Sequence, residues 1–204
     1  MPGEHYFTPS PSSRGRRLEL EITLRGQSLR FVTEAGVFSR ERIDRGTRLL
    51  ISEMEIGPAD RVLDLGCGYG PVGVVAAKLA PQGHVTLADI NERAVALARE
   101  NLALNGIENG EALAGDGYAP AGEREFDVIA LNPPVRAGLA VVHRLIEGAA
   151  AHLAPGGRFY LVGRTQQGVI RLGKKMAEVF GGVEEVAKGG GYRLYVSQKA
   201  AEGG

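Results

Sequence analysis

Residues 61–73, RVLDLGCGYGPVG, join a short apolar run directly to a glycine-rich loop and then to a helix start. Val62-Leu63-Asp64-Leu65 has the length of a buried strand, and Pro71 stands where a first helical turn tolerates a missing N–H. Without a Cβ at Gly66, Gly68 and Gly70 the backbone can turn sharply and let a ligand pack against it. The stretch predicts the opening unit of an open α/β sheet, with something flat or extended resting on the loop.

The same rhythm continues toward the C-terminus. HVTLAD (84–89) precedes the helical pattern NERAVALARENLALNG (91–106), and EALAG (111–115) follows. FDVIALN (126–132) precedes a helix from about Gly138 to Leu153, and RFYLVG (158–163) precedes another from Gln166 to Phe180. Alternation of this kind requires a mostly parallel sheet with helices on both faces and right-handed crossovers. VEEVAK (183–188) and YRLYVSQ (192–198) are separated by three glycines, too few for a parallel crossover of about a dozen residues, so they are expected to pair antiparallel at the sheet edge. On the N-terminal side, RLELEITL (17–24) alternates apolar and polar residues, breaks at Arg25-Gly26-Gln27 and resumes as SLRFVT (28–33), a hairpin pattern. Leu49, Leu50, Ile51 and Met54 then give a short helix from Thr47 to Met54, ended by Gly57-Pro58. The expected architecture is a doubly wound, mostly parallel seven-stranded sheet with an antiparallel edge strand and an N-terminal hairpin plus helix. Residues 1–16 read as a flexible arm and 17–199 as one domain, made of a hairpin and helix (17–56) and a core (57–199). Residues 200–204 read as a tail.

With 204 residues the chain has room for one core and little more. No apolar run approaches the roughly 20 residues of a membrane span, the N-terminus lacks the apolar centre of a secretion signal, and Cys67 is the single cysteine, so a cytoplasmic setting is expected. The four histidines, His5, His84, His143 and His152, are dispersed, and no metal is expected. Net charge is zero but unevenly laid out: residues 1–50 carry nine basic and six acidic groups, 51–130 five and thirteen, and 131–204 ten and five. An acidic middle suits a cationic or polyhydroxyl small molecule, and basic flanks suit a phosphate backbone.

The acidic middle contains three carboxylates at the ends of three successive strands: Asp64, Asp89 and Asp116. Such strand ends line the crevice where open α/β sheets bind ligands. Residues 68–73 also fit G-x-G-x-x-G with Asp89 about 20 residues on, as a dinucleotide site requires. Asp64, two residues before the first glycine, would face a pyrophosphate there, whereas it suits the ammonium of S-adenosylmethionine. Asp89 can accept from both ribose hydroxyls, and Asp116 from an adenine amino group.

FDVIALN ends in Asn132-Pro133-Pro134-Val135. Each proline removes a donor and fixes φ, so the Asn132 amide and the Pro133 carbonyl are expected to be held as acceptors pointing into the crevice. An amide or exocyclic NH₂ suits them, and positioning of that nitrogen against a methyl donor would be the main catalytic lever.

VLDLGCGYGPVG, LADIN and AGDG resemble the cofactor motifs of the Rossmann-like S-adenosylmethionine-dependent methyltransferases. The resemblance implies that Gly66, Gly68 and Gly70 meet the methionine part, that Asp64 supports the loop and the ammonium end, and that Asp89 holds the ribose with Ile90 beside it. It places Asp116 and Gly117 at the adenine. Asn-Pro-Pro resembles the signature of amino-group methyltransferases acting on adenine, guanine N2 or protein glutamine, here with Val135 where an aromatic residue often stands. It implies a catalytic role for Asn132, Pro133 and Pro134, with Asn132 also at the cofactor. His5-Tyr6-Phe7-Thr8, Gly36-Val37-Phe38-Ser39, Ile43-Asp44-Arg45-Gly46-Thr47 and NPPVRAG with His143-Arg144 are similar to the small-domain group related to the bacterial 16S rRNA guanine-N2 methyltransferase. In that group Gly46-Thr47 opens a helix beside the methionine end, which makes Thr47 a cofactor residue. The implied partner is RNA, 16S rRNA or the 30S subunit, for a monomer or homodimer; recruitment is expected through Arg14, Arg16, Arg17 and the hairpin, through Arg136 and Arg144, or by forming a homodimer. A protein glutamine amide, or RNA binding and assembly without catalysis, are the alternative readings.

Overall fold

The computed structural model describes residues 17–34, 43–133 and 138–201. Strands β1 (Leu18–Leu24) and β2 (Gln27–Thr33) form an antiparallel hairpin. Arg25 and Gly26 at its tip both have positive φ, +50° and +76°, the twist that a two-residue hairpin turn needs. The Arg25 guanidinium donates to the carbonyls of Ser52 at 2.8 Å and Met54 at 3.3 Å, which ties the tip to the end of helix α1 (Arg45–Glu53).

A seven-stranded sheet follows from β3 (Arg61–Leu65), β4 (His84–Asp89), β5 (Gly110–Ala114), β6 (Phe126–Leu131), β7 (Leu153–Arg164), β8 (Glu184–Gly189) and β9 (Tyr192–Gln198). Their spatial order is β5-β4-β3-β6-β7-β9-β8, with β3 to β7 parallel and β9 antiparallel to both neighbours, as the alternation predicts. Helices α2 (Pro71–Leu79), α3 (Glu92–Leu104), α4 (Leu139–His152) and α5 (Val169–Phe180) cover the sheet. Successive strand residues point to opposite faces, so Val62, Val128, Tyr160 and Val162 enter one core with α1, α2 and α3. Leu63, Ile129, Phe159 and Leu161 enter the other core with α4 and α5. The winding direction reverses between β3 and β6, which opens a crevice at their carboxyl ends.

Three local boundaries differ from expectation. Helix α1 begins at Arg45 because Asp44, and no residue at Thr47, supplies the cap: its Oδ1 accepts from the N–H of Gly46 at 2.8 Å and of Thr47 at 3.2 Å. The helix expected from Gln166 is divided at Gly168 (φ +86°) into a 3₁₀ turn, Thr165–Gln167, and α5. Strand β7 takes in the five residues before Arg158, which were expected outside it.

The hairpin is attached through α3. In an antiparallel pair alternate residues turn their N–H and C=O away from the partner. For β2 these are Arg30 and Val32, and side-chain amides replace the missing strand. Asn101 accepts from Val32 N–H at 2.7 Å and donates to its carbonyl at 2.9 Å, and Asn105 does the same for Arg30 at 3.0 and 2.7 Å. Asn101 also donates to the carbonyl of Tyr69 in the glycine loop at 2.8 Å. Among the described residues no helix is long and apolar enough to cross a membrane.

Candidate active site

The glycine loop is closed by its own backbone. The N–H groups of Gly66 and Cys67 donate to the carbonyl of Ala88 at 2.8 and 3.0 Å, and that of Gly70 donates to Cys67 at 3.0 Å. Gly68 N–H donates to Asp89 Oδ2 at 2.9 Å. Gly66, Gly68 and Gly70 have φ of +71°, +58° and +92°, the left-handed region that glycine enters without strain. A Cβ at Gly66 would meet nothing within 4 Å, so the loop leaves open space there. With these N–H groups engaged and Pro71 lacking one, the loop offers poor donors to a pyrophosphate, which argues against a dinucleotide.

Asp64 sits on the α2 side of β3, 4% exposed, with Oδ2 accepting from Gly73 N–H at 2.9 Å. Burial pushes its carboxyl up to about 7; the Gly73 bond opposes the rise and the Asp89 charge adds to it. Such a carboxyl is about half ionised near neutrality, and a cation beside it favours the ionised form. Burial, with Asp89 and Asp64 nearby, likewise pushes the Cys67 thiol up and keeps it inert. Asp89 closes β4 on the same face, with Oδ1 accepting from Asn91 N–H at 2.9 Å. Ile90 follows, partly buried. Asp116 lies two residues beyond β5, half exposed, and both of its oxygens accept from Arg144 Nη2, at 2.8 and 2.9 Å. Gly117 beside it has φ +56°, and a Cβ there would press on Leu145 at 3.3 Å.

Asn132 follows β6, and its amide nitrogen donates to Thr47 Oγ1 at 3.0 Å and to Asp44 Oδ2 at 3.4 Å. Thr47 Oγ1 itself donates to Asp44 Oδ2. The nitrogen end of the amide is therefore turned to α1, which leaves Oδ1 as its acceptor end. Pro133 follows in the described chain; Pro134, Val135 and Arg136 lie outside the described residues. The structure thus brings Thr47, Asp64, the glycine loop, Asp89 and Asn132 to one face of the sheet at the carboxyl ends of the strands. Asp116 and Gly117 stand at the crevice edge.

Two features escaped the sequence reading. Asp44 was quoted only within a motif, yet it caps α1 and holds Asn132. Tyr69 is 2% exposed, packs edge-on against Phe31 at 5.9 Å between ring centroids, and has a hydroxyl without a partner among the described residues. Arg17, at the start of the hairpin, is paired with Glu34 and Glu100. Arg144 is likewise held by Asp116. Arg14 and Arg16, and the motifs at residues 5–8 and 36–39, lie outside the described residues.

The protein YbxB of Bacillus subtilis is 36% identical over 198 residues, covering 96% of this chain and 98% of that one. The ribosomal RNA small subunit methyltransferase C of Pseudomonas aeruginosa is 35% identical over 183 residues, 88% of this chain and 54% of that one. Among solved structures, the 16S rRNA N2 guanine methyltransferase of T. thermophilus in complex with AdoMet and guanosine superimposes with a TM-score of 0.81 at 26% identity. That match covers 93% of this chain and 52% of the other. The chain spans about half the length of these two rRNA methyltransferases. The methyltransferase small domain model matches residues 28–196, and the chain belongs to that family.

Proposed function

We propose that the chain transfers the methyl group of S-adenosylmethionine to an exocyclic amino nitrogen of RNA, N2 of a guanine in small-subunit rRNA. The observation that carries this reading is the orientation of Asn132, whose amide nitrogen is engaged by Thr47 and Asp44 so that its oxygen is the free acceptor. The names of the rRNA methyltransferase relatives support RNA as the acceptor class.

The methyl donor is S-adenosylmethionine, and the donor set fits it. Its ammonium, ribose hydroxyls and adenine amino group are all hydrogen-bond donors, and Asp64, Asp89 and Asp116 are all acceptors. The cofactor supplies an electrophilic methyl on sulfur. Asp64 answers the ammonium, with Gly66, Gly68 and Gly70 giving the backbone approach and Thr47 beside the methionine end. Asp89 with Ile90 holds the ribose, and Asp116 with Gly117 the adenine.

A guanine amino nitrogen is a weak nucleophile because its lone pair is delocalised into the ring. Asn132 Oδ1 and the Pro133 carbonyl accept its two hydrogens, which favours a tetrahedral nitrogen whose lone pair faces the methyl. The N–C bond forms as the S–C bond breaks, and the proton lost from nitrogen passes to solvent. No strong base is needed, because the positively charged nitrogen of the product is acidic.

The test is nucleoside analysis after incubating the protein and S-adenosylmethionine with 30S subunits and with deproteinised 16S rRNA. N2-methylguanosine is expected. Methyladenosine, or label on glutamine of a ribosomal protein, overturns the assignment, and cofactor binding without any product favours an assembly role.

A further inference from the structure

Three exposed arginines come together around the N-terminus of α1. Arg17, Arg61, Arg124, Arg144, Arg158 and Arg193 are each paired with a carboxylate. Arg45, Arg48 and Arg164 form no ion pair among the described residues, and all three are exposed. Arg45 and Arg48 occupy the first turn of α1, which contains no acidic residue. A helix N-terminus disfavours cations, and the Asp44 carboxylate that caps this end is itself engaged by Gly46, Thr47 and Asn132. Breaches of a local rule without structural gain concentrate where a ligand supplies the compensation.

Arg164 joins them from the sheet. It ends β7 directly opposite Tyr192, donates through Nε to the Tyr192 hydroxyl at 2.7 Å, and has its guanidinium carbon 5.2 Å from the ring centroid. The Tyr192 ring in turn lies against Gly46, where a Cβ would come within 2.5 Å of it. Asp44, the carboxylate that acts on Arg164 electrostatically, is already held by Gly46, Thr47 and Asn132. Arg45 reaches over the turn between β8 and β9, its Cδ 3.2 Å from where a Gly190 Cβ would stand. Arg45 and Arg48 at the start of α1, and Arg164 through the Tyr192 ring against Gly46, thus lie about the helix end that orients Asn132.

We infer that Arg45, Arg48 and Arg164 form the cradle for the sugar-phosphate backbone on either side of the nucleotide being methylated. This rests on the RNA reading above. A base must leave its stack to reach the crevice, which exposes the flanking phosphates of a single-stranded segment. Arginine suits this task because its rigid fork of donors matches phosphate oxygens. Tyr192 holds Arg164 in place while leaving its η nitrogens to the RNA.

The experiment is fluorescence anisotropy with a labelled single-stranded RNA oligonucleotide across a KCl series. It compares the wild type with Arg45→Ala, Arg48→Ala, Arg164→Ala, Arg164→Lys and a control, Lys174→Ala, at an exposed position of α5. Each arginine-to-alanine change is expected to reduce the slope of log affinity against log salt by about 0.7, and to weaken binding several-fold at moderate salt. Arg164→Lys retains most of the slope, and Lys174→Ala all of it. Affinity for S-adenosylhomocysteine stays within about two-fold throughout, which separates lost RNA contacts from a damaged fold. Wild-type slopes in the three alanine variants overturn the cradle while leaving the RNA reading intact. A wild-type chain that binds no RNA, or binds it without salt dependence, overturns both.

Discussion

Asp64→Asn tests the electrostatics of the crevice with little change of shape, since an amide oxygen can still accept from Gly73. The buried carboxyl is raised from 3.8 to about 7, chiefly by burial. A carboxyl raised by folding holds its proton more tightly in the folded chain than in the unfolded one. Its stabilising share is complete below the unfolded value and is lost as pH rises from about 4 to about 7, after which the loss is constant. At about 1.4 kcal/mol per unit, the shift sets a ceiling of about 4 kcal/mol. Urea unfolding at a series of pH values is expected to show the wild type losing about 2–4 kcal/mol relative to the variant across that window. Binding of the ammonium-bearing cofactor should favour the ionised carboxyl, so calorimetry in two buffers at pH 7 should register release of about half a proton in the wild type and none in the variant. Parallel stability curves from about pH 4 to pH 8 would refute the idea that Asp64 is a strained, cation-awaiting carboxylate.

Asn101→Ala removes the partners of Val32 N–H, the Val32 carbonyl and the Tyr69 carbonyl together, so a loss of about 3 kcal/mol is expected in chemical denaturation. Asn105→Ala, at a more exposed rung, should cost only about 1 kcal/mol. Gly73→Ala would press a methyl to 2.4 Å from Leu87 Cγ, and calorimetry should show destabilisation of about 1–3 kcal/mol with weaker cofactor binding. Thr47→Val removes the hydroxyl that holds the Asn132 amide nitrogen. Steady-state assays should show kcat reduced roughly 10-fold with the melting temperature little changed.

The fold was legible because its signals are local. Short apolar runs, helix-length patterns and the glycine loop each reveal their own element, and three glycines between the last two strands forbid a parallel crossover. The candidate residues at strand ends were legible for the same reason. What escaped was held by side chains reaching between distant segments. Asn101 on α3 and Asn105 at its C-terminal cap read as ordinary helix residues, yet they complete the edge of a strand some 70 positions away. Asp44 carries a cap signal, but the apolar period that marked the helix begins only at Leu49, so the start was placed too late. Whether an arginine is free or paired depends on what the fold sets beside it, which is why Arg17 and Arg144 looked available and Arg45, Arg48 and Arg164 did not stand out.

The most direct test of the central claim is a single-turnover rate of methyl transfer from radiolabelled S-adenosylmethionine to 16S rRNA taken from cells lacking the enzyme, with wild type and Asn132→Ala side by side. Asn132 is assigned to positioning the acceptor nitrogen in the transition state. The variant should therefore transfer at least about 100-fold more slowly while binding cofactor within several-fold of the wild type. A variant that methylates the same RNA at close to the wild-type rate would contradict the mechanism.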